Sequence, residues 1–320
     1  MTQHPPAHFG RKRYYAYNRY LRDVFGHKVF KVPLDAGFTC PNRDGTVGEG
    51  GCAFCSERGS GDFAGGRGAS LAVQFDAVRA HMRKKWDTQR CIAYFQAFTN
   101  TYAPVDRLRA CFEEALRFEG VAGLAVATRP DCLPPGVVEY LAELHQRTFL
   151  WVELGLQTVH EATAAQMNRG HGYGAYLEGL AALRRHGIRV CVHIINGLPG
   201  ESPAMMRATA RAVAAQDVQG IKIHLLHVME GTPLGERYRR APFPLLEQDV
   251  YVALVCDQLE LLPPGMVIHR LTGDAPRDTL LGPAWSVNKW EVLNAIDWEL
   301  ERRGTWQGCR AASPPPSARP

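Results

Sequence analysis

Six short apolar segments, each followed by a stretch with helical spacing, limit the fold of this chain more than any other feature. They span 27–34, 91–98, 121–128, 149–156, 188–195 and 220–226, at a spacing of about 30 residues, the size of a strand–helix–strand unit. Strands that alternate with helices through short connections pair in parallel. The helical stretches carry their own signals. One runs over 106–119, and Thr158 with Glu161 three positions on makes a capping-box pattern. A third stretch, 173–186, stops at Gly187, and Ser202 stands as N-cap before a first-turn Pro203. The alternation gives an α/β fold, as either an open doubly wound sheet or a partial (β/α)6 barrel.

The faces of the strands favour the barrel. Ile188, Val190, Val192 and Ile194 share a face opposite Arg189, Cys191 and His193. Leu150, Val152, Leu154 and Leu156 lie opposite Trp151, Glu153 and Gln157. Ile221, Ile223 and Leu225 oppose Lys222 and His224, and Gln96 falls among apolar neighbours. Parallel strands buried on both sides are ordinarily apolar on both. Polar groups gathered near the C-terminal ends of successive strands are where a (β/α) barrel builds its site.

We therefore expect a TIM-like partial barrel over 27–228, preceded by an arm over 1–26. An extension over 229–308 packs on the barrel, and a Pro/Ser/Ala-rich tail over 309–320 is disordered. Within the extension, 248–262 reads as an amphipathic helix and 266–271 as one more strand. A helix over 289–303 places Trp290, Leu293, Ile296 and Leu300 on a core-facing stripe.

Composition, with 46 % hydrophobic and 22 % charged residues, suits a globular domain and excludes wholesale disorder. No apolar run approaches the roughly 20 residues of a membrane-spanning helix, and residues 1–10 lack a signal-like stretch. The expectation is a cytoplasmic chain. The net charge of +5 is mild but uneven. Arg11, Lys12, Arg13, Arg19, Arg22, Lys28 and Lys31 face one acid, Asp23, with Tyr14, Tyr15, Tyr17 and Tyr20 interleaved. Such an arm either meets phosphates and unpaired bases or is an amphipathic helix whose tyrosines pack on the body.

Nine cysteines, an odd number without an export signal, argue for reduced thiols. Six are scattered and read as small buried hydrophobes; Cys132, near Arg129, is the one that invites a closer look. The other three, Cys40, Cys52 and Cys55, form C-x11-C-x2-C directly after the first strand. Gly45, Gly48, Gly50 and Gly51 let that loop fold back so that three thiolates can converge at the barrel mouth. Three thiolates plus a histidine, His27 being near in sequence, would make a zinc site and a non-enzymatic interaction protein. Three thiolates alone suit a [4Fe-4S] cluster with one iron open to another ligand.

Together with this loop, Ala93 to Thr101, the Thr128-Arg-Pro-Asp131 run, Trp151 to Thr158, His193 to Glu201, Ile221 to His227 and Trp285 to Trp290 resemble the radical S-adenosylmethionine (SAM) superfamily. More narrowly, they resemble its YtqA/YhcC family, relatives of the Elongator catalytic subunit's radical domain. The resemblance covers roughly residues 13–308 and is closest to the YtqA subgroup. The loop departs from the superfamily's commonest C-x3-C-x2-C, and Gln96 to Asn100 replace its Gly-Gly-Glu signature. The resemblance implies that Cys40, Cys52 and Cys55 hold a [4Fe-4S] cluster whose open iron SAM chelates. Reductive cleavage of SAM then yields a 5′-deoxyadenosyl radical. It implies Phe54 near the adenine, and Gln96, Glu153 and Gln157 along the ribose and methionine. Arg129 would pair with the SAM carboxylate, and the turn of Asn196, Gly197 and Glu201 would support the adenine. His193, Lys222 and His224 are the substrate-side candidates, suited to proton transfer. The implied substrate is tRNA, at a wobble uridine taken from its carboxymethylaminomethyl to its aminomethyl form, with flavodoxin or ferredoxin as electron donor. A small metabolite or peptide is the alternative substrate.

Overall fold

The protein is described by a computed structural model covering residues 4–59, 61–83 and 90–311. Seven parallel strands form one sheet in the order β1 (Phe30–Leu34), β2 (Cys91–Phe95), β3 (Val121–Thr128), β4 (Phe149–Gln157), β5 (Arg189–Asn196), β6 (Gly220–Leu225) and β8 (Val267–Arg270). A short ribbon, β7 (Val228–Met229) against β9 (Leu280–Gly282), stands beside it. The helices are α1 (Tyr17–Phe25), α2 (Leu71–Arg83), α3 (Val105–Leu116), α4 (Pro135–Arg147), α5 (Glu161–Gln166), α6 (Tyr173–Arg184), α7 (Pro203–Ala214), α8 (Pro233–Arg240), α9 (Gln248–Leu261) and α10 (Lys289–Arg303).

The sheet is curled. Lys222 on β6 donates to the Tyr94 hydroxyl on β2 at 2.9 Å, and Lys31 on β1 reaches Glu153 on β4. In a flat sheet β2 and β6, four strands apart, would lie about 19 Å from each other. Only a sheet closing on itself lets these side chains meet. The two faces expected for each strand are the two sides of this half-barrel. Val190, Val192, Ile194, Leu150, Val152, Leu154, Ile221 and Ile223 join the outer core under the helices. Trp151, Cys191, Tyr94 and Ile92 form an inner cluster.

The arm closes the N-terminal end of the barrel. Leu21 and the rings of Tyr15, Tyr17 and Tyr20 join the inner cluster, and Tyr17 stacks on His269 at 3.9 Å between centroids. Ile268 N–H donates to the Tyr15 carbonyl, sewing the arm to β8. These tyrosines are thus engaged, partly buried, in packing on the body. Of the two readings of the arm, the helix packed on the body is the one the fold adopts.

Some expectations are corrected. The strand expected over 266–271 forms as β8 and makes the sheet seven-stranded, one more than the six units of the expected barrel. Residues 309–311 are ordered: Arg310 N–H donates to the Glu260 carbonyl at 2.8 Å, while 312–320 lie outside the described residues. The capping box does not form. The Thr158 hydroxyl donates to Glu201, and Glu161 accepts from Tyr173 N–H at 2.6 Å. Trp290 is 75 % exposed, and α10 buries Val292, Ile296 and Leu300 instead. Ser202 does cap α7, accepting from Met205 N–H.

Candidate active site

The eleven residues between Cys40 and Cys52 fold into a tight return. Val47 and Gly48 N–H both donate to the Pro41 carbonyl, and Gly51 N–H donates to the Asn42 carbonyl at 2.7 Å. Gly51 has φ +81°, and a Cβ there would meet Arg43 Nε at 2.7 Å, so a larger residue cannot make this return. Ala53 N–H is pinned to the Met167 carbonyl, and Arg43 donates to the Ser56 carbonyl at 2.6 Å. Cys52 thereby comes back beside Cys40, and all three thiols line one cavity of about 290 Å³ at the C-terminal ends of the strands. A hydrogen bond with Cys55, together with burial, pushes the Cys52 thiol well above its usual range, while Arg129 pulls the other way. Asn42 Nδ2 also reaches Cys52 Sγ at 3.8 Å. Three soft donors converging from one loop, backed by amide and guanidinium N–H groups, fit an iron–sulfur cluster with an open corner.

Deeper in the same cavity lies a buried charge network. Glu153 is 1 % exposed and both its oxygens are engaged. Oε1 accepts from Lys31 at 2.5 Å; Oε2 accepts from Lys222 at 2.5 Å and contacts His193 Nε2 at 2.9 Å. Burial alone would raise this carboxyl, but Lys222 and Lys31 hold it well below the usual range. Burial pulls Lys222 down to about 8, with Glu153 opposing. Burial and Lys222 bring His193 down to about 4, and burial and His193 push His224 well below the usual imidazole range. Both imidazoles are therefore neutral at pH 7.

The cavity brings together Phe54, Gln96, Arg129, Glu153, Gln157, His193, Lys222 and His224 with the cysteines. Gln157, at a register shift in β4, and Phe98, after β2, have φ of 60° and 59°, a backbone strain that concentrates at functional sites. Two of these residues differ from expectation. Arg129 gives Nε and one terminal nitrogen to Asp131 at 2.9 and 2.7 Å, and its other terminal nitrogen to the Arg169 carbonyl. The two-pronged edge that a carboxylate of SAM would take is already on Asp131. Glu153 is held by two lysines and His193, with Oε1 accepting from Lys31 alone.

Asn196, Gly197 and Glu201 do not line the cavity; Ile195 does. The Asn196 amide pairs reciprocally with Gln258 on α9 at 2.8 and 2.9 Å, and Glu201 takes the Thr158 hydroxyl. They brace the turn from outside. Sequence reasoning missed Arg270, Asp274 and His227 from the region after 226, which also line the cavity. The expected strand over 266–271 was the one signal that could have placed Arg270 there.

Comparison with known proteins decides the family. The Radical SAM superfamily profile matches residues 40–213, more than half of the chain, and the Radical_SAM C-terminal domain profile matches 218–302. The chain belongs to the radical SAM superfamily. It is 61 % identical over 297 residues to YtqA of Bacillus subtilis (strain 168), covering 93 % of this chain and 92 % of that one. It is 29 % identical over 157 residues to a tRNA uridine(34) acetyltransferase of Dehalococcoides mccartyi, covering 48 % of this chain and 34 % of that one. The structure of Methanocaldococcus infernus Elp3 aligns with a TM-score of 0.64 at 18 % identity, over 88 % of this chain and 64 % of that one, a likeness of fold. As a radical SAM enzyme this protein uses a [4Fe-4S] cluster and SAM, which replaces the reading of a non-enzymatic zinc-binding interaction protein. Among the described residues no helix is long and apolar enough to cross a membrane.

Proposed function

We propose that Cys40, Cys52 and Cys55 hold the cluster and that the cavity they share with Glu153, His193, Lys222 and His224 is the chamber where SAM and substrate meet. The observation that carries this reading is the convergence of the three thiols on the same cavity as a buried polar network. The chemistry supplied there is reductive cleavage of the SAM sulfonium carbon–sulfur bond, with the electron coming from a donor such as flavodoxin or ferredoxin. The chain's own part is to hold and shield. Arg129, fixed by Asp131, sets a positive charge beside Cys40 and Cys52. Phe54, Ala127, Ile195 and Leu226 supply apolar lining, while Gln96 and Gln157 bring amides to SAM's polar groups. A chamber of this kind excludes water from a reactive centre.

For the substrate we take a tRNA wobble uridine, converted from its carboxymethylaminomethyl to its aminomethyl form. The support is the partial likeness to a tRNA uridine(34) acetyltransferase and the family resemblance. The base would have to leave its stack to reach the chamber. A small metabolite or peptide is the second reading, favoured by the inward packing of the arm's tyrosines. Nucleoside mass spectrometry of tRNA from cells lacking the protein tests the choice. The tRNA reading expects the carboxymethylaminomethyl form to accumulate; an unchanged nucleoside profile rejects it.

A further inference from the structure

The structure assigns to the β6–β8 wall of the cavity a receptor for an anionic group of the substrate, a carboxylate or a phosphate. This rests on the reading of the cavity as the substrate chamber. Lys222 on β6 and Arg270 on β8 line the wall, with Lys31 and Lys289 behind them. Two carboxylates balance these four cations. Glu153 serves Lys31 and Lys222; Asp274 serves Arg270 at 3.2 Å and Lys289 at 2.9 Å. The wall therefore carries a surplus of positive charge, buried at Lys222 and about one-third exposed at Arg270 and Lys289, and a ligand of opposite sign is favoured most at its buried end.

Two orphaned ring nitrogens lie on the same wall. His224 Nε2 and His227 Nε2 are buried and have no hydrogen-bond partner. Both imidazoles are neutral, His227 being brought down to about 4 chiefly by burial, so each can present one N–H without adding charge. A Cβ on Gly273 would come within 2.7 Å of the His227 ring, so glycine leaves that ring its place. A guanidinium, an ammonium and two imidazole N–H groups on one wall outnumber its two carboxylates, each already engaged by two cations, and make a donor set for oxyanions. His224 and Lys222 are then recognition groups as much as proton carriers, and Arg270 and His227 join them.

The test uses cluster-reconstituted full-length protein with 13C-labelled histidine, titrated with inorganic phosphate and with acetate, with and without saturating SAM. Saturable shifts of the His224 and His227 resonances that persist with SAM bound are the expected result. Arg270→Gln should weaken the binding about tenfold, as loss of a charged donor does, while Arg270→Lys keeps most of it. No saturable shift with either anion overturns the proposal, as does unchanged affinity in Arg270→Gln. Loss of the shifts when SAM binds also overturns it, because the wall would then serve the cofactor's carboxylate. SAM cleavage by the same samples reports separately on the chamber itself.

Discussion

Replacing Glu153 with Gln tests the buried network at its single anion. The carboxylate is essentially inaccessible and faces Lys31 and Lys222 at 2.5 Å each. Glu153→Gln keeps the shape and removes the charge, leaving two ammonium groups in a barrel interior where removal of one partner from a buried pair costs about 3–5 kcal/mol. Part of that is recovered, because Lys222, already lowered to about 8, can fall further and shed its proton. A loss of about 3 kcal/mol at pH 7 is the expectation. Its pH dependence has a fixed sign. Glu153 is depressed in the folded state, so its contribution is present above the ordinary carboxylate range and fades as pH falls through its folded value. It also fades as pH rises past about 8, where Lys222 deprotonates in the wild type. Urea unfolding of both proteins from pH 4 to pH 9 should show the gap small above about pH 8 and growing as pH falls from there toward the ordinary carboxylate range, because the variant escapes its penalty only while Lys222 stays deprotonated. A variant as stable as wild type at pH 7, or a gap that grows from pH 7 to pH 9, refutes the reasoning.

Other outcomes are equally specific. Cys52→Ala should leave a protein that folds but retains little iron after anaerobic reconstitution, read by iron and sulfide analysis. Asn196→Ala leaves the buried Gln258 Oε1 without a partner, Nε2 keeping the Met206 carbonyl, and should cost about 1–3 kcal/mol in urea unfolding, with SAM affinity unchanged in calorimetry. Tyr17→Ala removes a ring packed against Trp151 and His269 and should cost about 3–5 kcal/mol, while tRNA retention on filters stays as in wild type.

The strands were legible because each alternates between an outer apolar face and an inner face with one or two polar groups, as Val190 and Val192 do against His193. The cysteine trio was legible from its spacing and glycines. What could not be read depends on curvature and distant pairing. The meeting of Lys31 with Glu153 requires the sheet to curl. Asn196 is claimed by Gln258, 62 positions away, and only the packing of α9 reveals it. Arg129 reads as an open fork until Asp131, two positions on, takes it in the folded turn. Trp290 was assigned to the wrong face: at about 100° per residue it lies roughly 120° around the helix from Ile296. Arg270 and His227 come from the region where strand–helix alternation fades, so no pattern pointed to them as a pair.

The most direct measurement is the fate of SAM on anaerobically reconstituted protein supplied with a one-electron reductant. Release of 5′-deoxyadenosine and methionine, lost together with bound iron in Cys40→Ala, Cys52→Ala and Cys55→Ala, is what this account predicts. Intact SAM over a protein carrying its full complement of iron and sulfide would contradict it.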